Sequence, residues 1–386
     1  MAPSRATDVD LREYLRHIDY ALLMITAALI SYGATVLYFA TRNDVAGKSL
    51  YYVAPQLEYV AIGTIALVAV ACVNYQRWRA WQWPLYAFAV ISNIVVLVVG
   101  TVTRGSKRWI ALPFMNFQPS QLALWIIIVA LAAFLVDRSD LLGTKRITLL
   151  AIAYVAVPAG LVFIQPDLGT CAIFVAILLA LLLFYGTNWR HFALIGVSAA
   201  VMGVMVFTVL PAMHVHVVKQ YQMNRLLVFL DPTRDPKGDG YNIVQSMIAV
   251  GSGSLQGRGN QATQPTLDFL PEHHTDFVFA GIGERYGFLG ALLLIVLYGL
   301  LVWRALHIAT LAPDLYGSIM AGGIAAAFVF QVFVNIGMTI GIMPVTGIPL
   351  PFISYGGSAM ITSLMLVGLL ESIHLRARLN PSPGRL

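Results

Sequence analysis

Residues 267–290 read LDFLPEHHTDFVFAGIGERYGFLG and pass from a polar loop directly into an apolar run. The apolar run has the length of a membrane segment, yet it begins at Asp276 and carries Glu284 inside it. An ionisable group at a membrane boundary is costly unless it faces a cavity or a partner. The stretch therefore predicts a membrane helix that starts beside two candidate functional carboxylates.

The composition of the whole chain agrees with this interpretation. Hydrophobic residues make up 59% of the 386 residues and charged residues only 11%, which excludes an ordinary soluble domain. A helix needs about 20 apolar residues to cross roughly 30 Å of hydrocarbon. Runs of this kind lie near residues 19–40, 55–74, 84–103, 120–136, 147–165, 169–186, 191–211, 277–303, 316–341 and 350–375. We expect an all-α polytopic membrane protein with about ten transmembrane helices in one domain, 1–386.

The distribution of Lys and Arg over the short connections predicts the orientation. Most of these residues fall in segments that are cytoplasmic if the N-terminus is, so we expect residues 1–18 and 376–386 to be cytoplasmic. The first apolar run lacks a small-residue cleavage site and is interpreted as a retained helix. The long segment 212–275 between helices 7 and 8 is then extracytoplasmic.

The long loop predicts two short helices, near 221–230 and 241–250, that lie along the membrane surface. After them, GSGSLQGRGN at 251–260 carries Arg258. Its glycines would let the backbone approach a phosphate, although glycine-rich linkers are commoner. The net charge of +6 reflects the cytoplasmic bias, and no basic run indicates nucleic acid. The sequence shows no zinc-type spacing of Cys and His.

Six segments together resemble the SEDS family (shape, elongation, division and sporulation), which includes RodA, FtsW and SpoVE. The segments agree in order and spacing: RWIAL (108–112), QPSQ (118–121), QPDLGT (165–170), RLLVFLDPTRDPKGDGYNIVQSMIAVGSGSLQGRG (225–259), FLPEHHTDFVFAGIGE (269–284) and MPVTGIPLPFISYGGSAM (343–360). The sequences GYNIVQS and TGIPLPF resemble the RodA branch of the family more than FtsW.

The resemblance implies a peptidoglycan glycosyltransferase of the bacterial cytoplasmic membrane, which polymerises lipid II into glycan strands on the outer face for cell-wall elongation. It also implies a class B penicillin-binding protein and other membrane proteins of the elongation complex as partners. No cofactor is predicted with certainty. A divalent cation, Mg²⁺ or Mn²⁺, is a candidate because diphosphates commonly recruit one.

The family's essential acidic residue, in its PExxTDF motif, corresponds to Asp276. A carboxylate there suits a general base that deprotonates a sugar hydroxyl as it attacks an anomeric carbon. Undecaprenyl diphosphate is the implied leaving group, so a second carboxylic acid is not obligatory. The alternative for Asp276 is a helix cap, because Thr275 and Asp276 open the predicted eighth helix.

Cations near the leaving group would stabilise its developing charge. The candidates are Lys107, Arg108, Arg225 and Arg258. With Trp109, the first two stand at the predicted outer end of a helix, where interface anchoring accounts for them equally well.

Three further residues are candidates for substrate contact. Glu272 either orders the loop, touches substrate or is a solvated loop acid. Glu284 lies about 12 Å deeper than Asp276 at the standard helical rise, where it either lines a groove or forms a buried ion pair. Ser354 belongs to SYGGS, which predicts a broken helix start, and either lines the groove or serves close helix packing. By contrast, Asp167 in QPDLGT is interpreted as a structural helix start.

Two positions depart from the family pattern. The usual Glu of QPSE and the Lys three residues later are here Gln121 and Leu124. Losing both charges together is far less costly than stranding one of them. The second position of the usual GEE is kept as Glu284 and the third is Arg285, which is expected to pair with Glu284 or with lipid phosphates.

Two other functional classes stay open. A lipid II flippase would need polar groups through the bilayer and usually inverted repeats, and no clear internal repeat is found. A non-catalytic scaffold of the elongation machinery would not require Asp276. Substitution of Asp276 therefore distinguishes an enzyme from a scaffold.

Overall fold

A computed structural model describes residues 16–42, 44–45, 47–103, 106–113, 115–205, 208, 220–235, 238–262 and 274–379. Within them the protein is almost entirely helical. The helices, in chain order, are α1 (Tyr20–Thr41), α2 (Val53–Cys72), α3 (Tyr75–Ala80), α4 (Gln82–Val99), α5 (Pro119–Val136), α6 (Lys145–Ile164), α7 (Leu168–Tyr185), α8 (Trp189–Val204), α9 (Gln220–Leu230), α10 (Asp239–Ser252), α11 (Val278–Leu311), α12 (Leu315–Thr339) and α13 (Gly357–Leu379).

The membrane spans agree with the prediction in order and position. Among the described residues, nine helices are long and apolar enough to cross a membrane. The predicted seventh span corresponds to α8, a shorter apolar helix of 16 residues. The rest of that predicted span, near 206–211, lies largely outside the described residues. The chain is therefore a multi-pass membrane protein.

Helix α5 lies at the centre of the bundle. It is apolar on all faces, and 89% of its span is buried, as expected for a helix surrounded by other helices. It contacts α4, α6, α7, α12 and α13. Its first residues therefore sit deep among the helix ends that surround them.

A small antiparallel sheet was not predicted. The strands are β1 (Thr101–Thr103), β2 (Ser106–Ala111) and β3 (Asn116–Phe117), in the order β1-β2-β3. Helix α4 ends at Val99, before Gly100, so the predicted span 84–103 was too long. The helix-end position expected for Lys107, Arg108 and Trp109 was therefore wrong, because all three lie on β2. Hydropathy does not reveal strands as short as these, because the register of a strand depends on the strand with which it pairs.

Both helices predicted in the long loop are present as α9 and α10. The glycine-rich segment after α10 packs against α11 at a kink, where Gly287 adopts φ +63° and ψ −158°. The backbone N–H groups of Phe288 and Leu289 donate to the carbonyls of Ser254 and Leu255, at 2.9 and 3.1 Å. The loop thus supplies acceptors that the interrupted helix lacks.

The last span begins later than predicted. The predicted run 350–375 contains a non-helical stretch, and α13 starts at Gly357. Leu350, Phe352 and Ile353 before it are buried, and Tyr298 donates from its hydroxyl to the carbonyl of Pro351 at 2.5 Å. The broken helix start predicted from SYGGS is therefore confirmed, and protein surrounds it as the membrane requires.

Candidate functional site

A polar cavity of about 400 Å³ lies where several helices begin. Its lining includes the N-cap residues of α5 and α7, the turn before α11 and the first residues of α13. Each helix N-terminus carries a partial positive charge from its unpaired N–H groups. Four such termini around one cavity make it a favourable place for an anionic group.

The lining residues come from all parts of the chain. They are Tyr59, Arg108, Trp109, Asn116, Gln118, Gln121, Asp167, Arg225, His274, Thr275, Asp276, Gly347, Pro349, Tyr355, Gly356, Gly357, Ser358 and Ala359. Of the predicted site residues, the structure therefore brings together Asp276, Arg108, Trp109 and Arg225.

Asp276 lies in the turn that precedes α11. The N-cap position of that helix is Phe277, one residue after Asp276. Opposite the carboxylate stands Gly347, which adopts φ +72°; a Cβ there would lie 3.5 Å from Asp276 Oδ2. Glycine satisfies that backbone conformation without strain and keeps the space beside the carboxylate open.

Three successive backbone carbonyls hold this turn in place. The carbonyl of His274 accepts from the Tyr355 N–H at 2.9 Å, and that of Thr275 accepts from Ser354 Oγ at 2.6 Å. The carbonyl of Asp276 itself accepts from Asn335 Nδ2 at 2.9 Å. The backbone that carries the carboxylate is therefore fixed by two other elements before any ligand binds.

Asn335 holds the Asp276 turn and was not among the residues singled out from the sequence. It is fully buried in α12, and its Nδ2 also donates to the carbonyl of Ile348 at 2.7 Å. One amide thus joins the Asp276 turn to the non-helical stretch before α13. The available signal was a polar amide inside the apolar run FVFQVFVNIGMT, which membranes rarely tolerate without a role.

The two arginines approach the cavity from different sides. Arg108 on β2 donates from Nε to the carbonyl of Gln165 at 3.1 Å and from Nη2 to that of Pro166. Its Nη1 lies 3.9 Å from Asp167 Oδ1. Arg225 reaches the same cavity from α9. Guanidinium groups match the geometry of phosphate oxygens better than ammonium groups do.

Asp167 has the structural role predicted for it. It is the N-cap of α7, where Oδ1 accepts from the Thr170 N–H at 3.2 Å. Oδ2 accepts from Thr170 Oγ1 at 2.9 Å and from Gln118 Nε2 at 3.1 Å. Although Asp167 lines the cavity, its oxygens are engaged in holding the starts of α5 and α7 together.

One of the two positions at which the QPSQ region differs from the family pattern lies in the cavity wall. Gln121 is 4% exposed and lines the cavity, whereas Leu124 is buried in the core one turn further along α5. A neutral amide and an aliphatic side chain occupy these positions without an unpaired charge. This agrees with replacement of the two family charges as a unit.

Aromatic rings form another part of the wall. The His274 ring lies 4.6 Å from the ring of Tyr52 and 5.9 Å from that of Tyr355, centroid to centroid. Such rings give this part of the wall flat, partly apolar surfaces.

Besides Glu284, four predicted site residues lie outside the cavity lining or cannot be placed. Lys107, Arg258 and Ser354 are not in the lining, although Ser354 holds the Thr275 carbonyl. Glu272 lies outside the described residues.

Glu284 forms the buried ion pair that was one of its two interpretations. Its side chain is completely buried, and Oε1 lies 3.6 Å from Arg258 Nη1. The Arg258 N–H also donates to the Glu284 carbonyl at 2.8 Å. The glycine-rich segment that carries Arg258 therefore packs against α11.

Arg285 does not behave as expected either. It donates from Nη2 to Asn260 Oδ1 at 2.7 Å, and its guanidinium lies 4.3 Å from the ring centroid of Phe39. It is 8% exposed. Of its two predicted partners, Glu284 is already paired with Arg258, and burial keeps Arg285 from lipid phosphates.

Within the described residues, no group of three or more His, Cys, Asp or Glu could hold a metal ion.

Comparison with known proteins identifies a family match over almost the whole chain. The model of the FtsW, RodA and SpoVE proteins, described as cell cycle proteins, matches residues 19–379. The chain is 37% identical to peptidoglycan glycosyltransferase MrdB of Escherichia coli K12, over 94% of this chain and 95% of that protein. It is 35% identical to stage V sporulation protein E of Bacillus subtilis 168, over 93% and 98% of the two chains.

Solved structures show the same similarity. A chain from a study of structural coordination of polymerization and crosslinking by a peptidoglycan synthase complex matches with a TM-score of 0.79 and 30% identity, over 93% of this chain and 98% of that chain. The rod shape determining protein RodA of Thermus thermophilus matches with a TM-score of 0.68 and 27% identity, over 93% and 97%.

Proposed function

The chain belongs to the FtsW, RodA and SpoVE family, and we propose that it is a peptidoglycan glycosyltransferase that polymerises lipid II for cell-wall elongation. Relatives covering most of the chain carry that enzymatic name. The observation that carries the proposal is the carboxylate of Asp276, which lines a polar cavity on an immobilised turn.

In the proposed reaction, Asp276 acts as general base. It accepts the proton of a sugar hydroxyl while that oxygen forms a bond to the anomeric carbon of the second substrate. The bond from this carbon to the diphosphate breaks, and undecaprenyl diphosphate leaves with the electron pair. A positioned base contributes roughly 10²–10⁴-fold to such a step.

The surroundings of the base suit the leaving group. Arg108 and Arg225 line the same cavity, together with residues at or just before the starts of four helices. Fixed positive charge of this kind stabilises a departing diphosphate without rearranging during the reaction. A divalent cation carried by the diphosphate would add to this charge, and removal of Mg²⁺ and Mn²⁺ by chelation tests whether one is needed.

The proposal also specifies the location of the cavity in the membrane and a partner protein. We place the cavity on the outer face of the bacterial cytoplasmic membrane, with both termini cytoplasmic, because basic residues favour that orientation. A class B penicillin-binding protein is the proposed partner. Similarity to a chain of a polymerising and crosslinking synthase complex supports this choice.

The test is polymerisation by the purified protein. Wild type and Asp276→Ala are incubated with lipid II, with and without the cognate class B penicillin-binding protein, and the products are separated as glycan ladders. We expect ladders from the wild type and none from the variant, while the variant keeps its melting temperature and its binding of partner. No ladders under any partner condition, despite retained lipid II binding, would favour a flippase or a scaffold.

A further inference from the structure

A second polar cavity, of about 480 Å³, lies at the opposite end of the bundle. Three arginines line it: Arg16 before α1, Arg304 near the end of α11 and Arg378 near the end of α13. Arg304 lies 17 residues beyond the Gly287 kink, about 26 Å along α11 at the standard rise. This cavity is therefore separate from the one that contains Asp276.

A buried hydrogen-bond network forms the rigid wall of this cavity. Asp19 caps α1 by accepting from the Leu22 N–H at 3.1 Å, and its Oδ2 accepts from Arg304 Nε at 2.5 Å. The Asp19 N–H donates to Glu371 Oε1 of α13 at 2.6 Å. Asp19, Glu371 and the adjacent His374 are each less than 5% exposed. The ends of α1, α11 and α13 are thus tied together at one point.

The cavity keeps an excess of positive charge. Asp19 is the one carboxylate among its lining residues, and it is matched by Arg304. Arg304 makes this contact through Nε. Its two terminal amino groups form no hydrogen bond within the described part of the chain. Arg16 and Arg378 are exposed and have no ion pair there. Even with Glu371 counted behind the wall, three positive charges face two negative ones among the described residues.

The surrounding aromatic residues indicate the depth of the cavity in the membrane. Tyr20 lines it and is 57% exposed. Trp303, next to Arg304, is 59% exposed and stacks on His307 with ring centroids 6.0 Å apart. Exposed Tyr and Trp concentrate at the level of the lipid head groups. A basic pocket between helix ends at that level suits a lipid phosphate.

We propose that this cavity binds the phosphate head group of an anionic membrane phospholipid. The terminal amino groups of Arg304 form its fixed base, and Arg16 and Arg378 close around the phosphate from two sides. The bound lipid would connect the ends of α1, α11 and α13 and so stabilise the bundle. This inference does not depend on the proposed enzymatic activity.

The test uses the full chain, stripped of lipid in detergent. Phosphatidylglycerol, phosphatidylcholine and inorganic phosphate are added separately, and retained lipid is counted by native mass spectrometry beside the melting temperature. We expect phosphatidylglycerol to be retained and to raise the melting temperature by several degrees, with no such effect of phosphatidylcholine. The double variant Arg16→Gln/Arg378→Gln should lose at least about tenfold in affinity, or 1.4 kcal/mol.

Arg146→Gln/Arg190→Gln is the matched control. It makes the same change in charge at two exposed arginines on the same predicted side of the membrane, away from the cavity. Equal losses in the two double variants, or equal binding of both lipids, would overturn the proposal. If inorganic phosphate raised the melting temperature as much as phosphatidylglycerol, the proposal that the bound anion is a lipid would be overturned.

Discussion

Asp276 and Glu284 lie eight residues apart, at and just after the start of the same helix, yet the fold uses them in opposite ways. Asp276 lines a cavity on a turn whose carbonyls are held by other elements. Glu284 is completely buried and paired with Arg258 at the kink of α11. An acidic residue near a membrane helix is therefore a candidate for function, and its surroundings decide between chemistry and structure.

The backbones around the two carboxylates differ as well. Side chains fix the turn at Asp276 from outside, through Asn335 and Ser354. At Glu284 the contact is backbone against backbone: a Cβ on Gly253 would lie 1.9 Å from the Gly283 carbonyl oxygen. The first region leaves space for a ligand, whereas the second fills all the space between the loop and α11.

The largest expected effect is a difference in polymerisation rate between variants of the two carboxylates. Asp276→Asn should lower the polymerisation rate by at least about 100-fold, because the amide cannot accept the proton. Its melting temperature should stay unchanged, since the backbone contacts of the turn remain. Glu284→Gln should do the reverse and keep the rate per folded molecule while lowering the melting temperature. Loss of activity in both variants, with both folded, would contradict the division of roles.

The next effect concerns the ion pair. Arg258→Ala removes a counter-charge of the buried Glu284 carboxylate and should cost about 2–3 kcal/mol in the free energy of unfolding. Glu284→Gln should cost less, because Arg258 is 45% exposed and can turn to water. Denaturant unfolding of both variants measures this asymmetry. Equal costs would show that the kink does not depend on the charge of Glu284.

The close backbone contact is tested by adding a single methyl group. Gly253→Ala should cost about 1–2 kcal/mol, because the loop and α11 must move apart. The matched control is Gly251→Ala in α10, where a Cβ meets nothing within 4 Å and alanine should stabilise the helix by up to about 1 kcal/mol. The same melting temperature for both variants would show that the loop adapts freely.

The smallest expected effect is a loss of kcat that tests the role of Asn335. Asn335→Ala removes the hydrogen bonds to the carbonyls of Asp276 and Ile348 and should lower kcat about tenfold. The effect on KM should be small, since Asn335 is not among the residues that line the cavity. Gln331→Ala is the control: Gln331 is also buried in α12 but donates to Ala327 of its own helix. An equal loss of kcat in the control would mean that α12 responds to any lost amide.

Prediction succeeded where the signal was local. Apolar runs located the helices, and Pro and Asp in QPDLGT indicated the start of α7, because both residues favour helix N-termini. Prediction was wrong about the helix-end position of Lys107, Arg108 and Trp109, because all three lie on a strand. Prediction also left two interpretations for the glycines near Arg258, because a glycine for phosphate contact and a glycine for close packing look identical in sequence.

The membrane class, the order of the spans and the choice of Asp276 as leading candidate could be inferred from the chain alone. These follow from hydropathy, which adds up along the chain, and from a motif within a few residues. Three relations could not be inferred in this way and depend on how the helices pack. Arg108 and Arg225 share a cavity with Asp276, Arg258 pairs with Glu284, and Asn335 holds the Asp276 turn. Asn335 and Asp276 are 59 residues apart, and only the packing of helices brings side chains so distant in sequence within one hydrogen bond of each other.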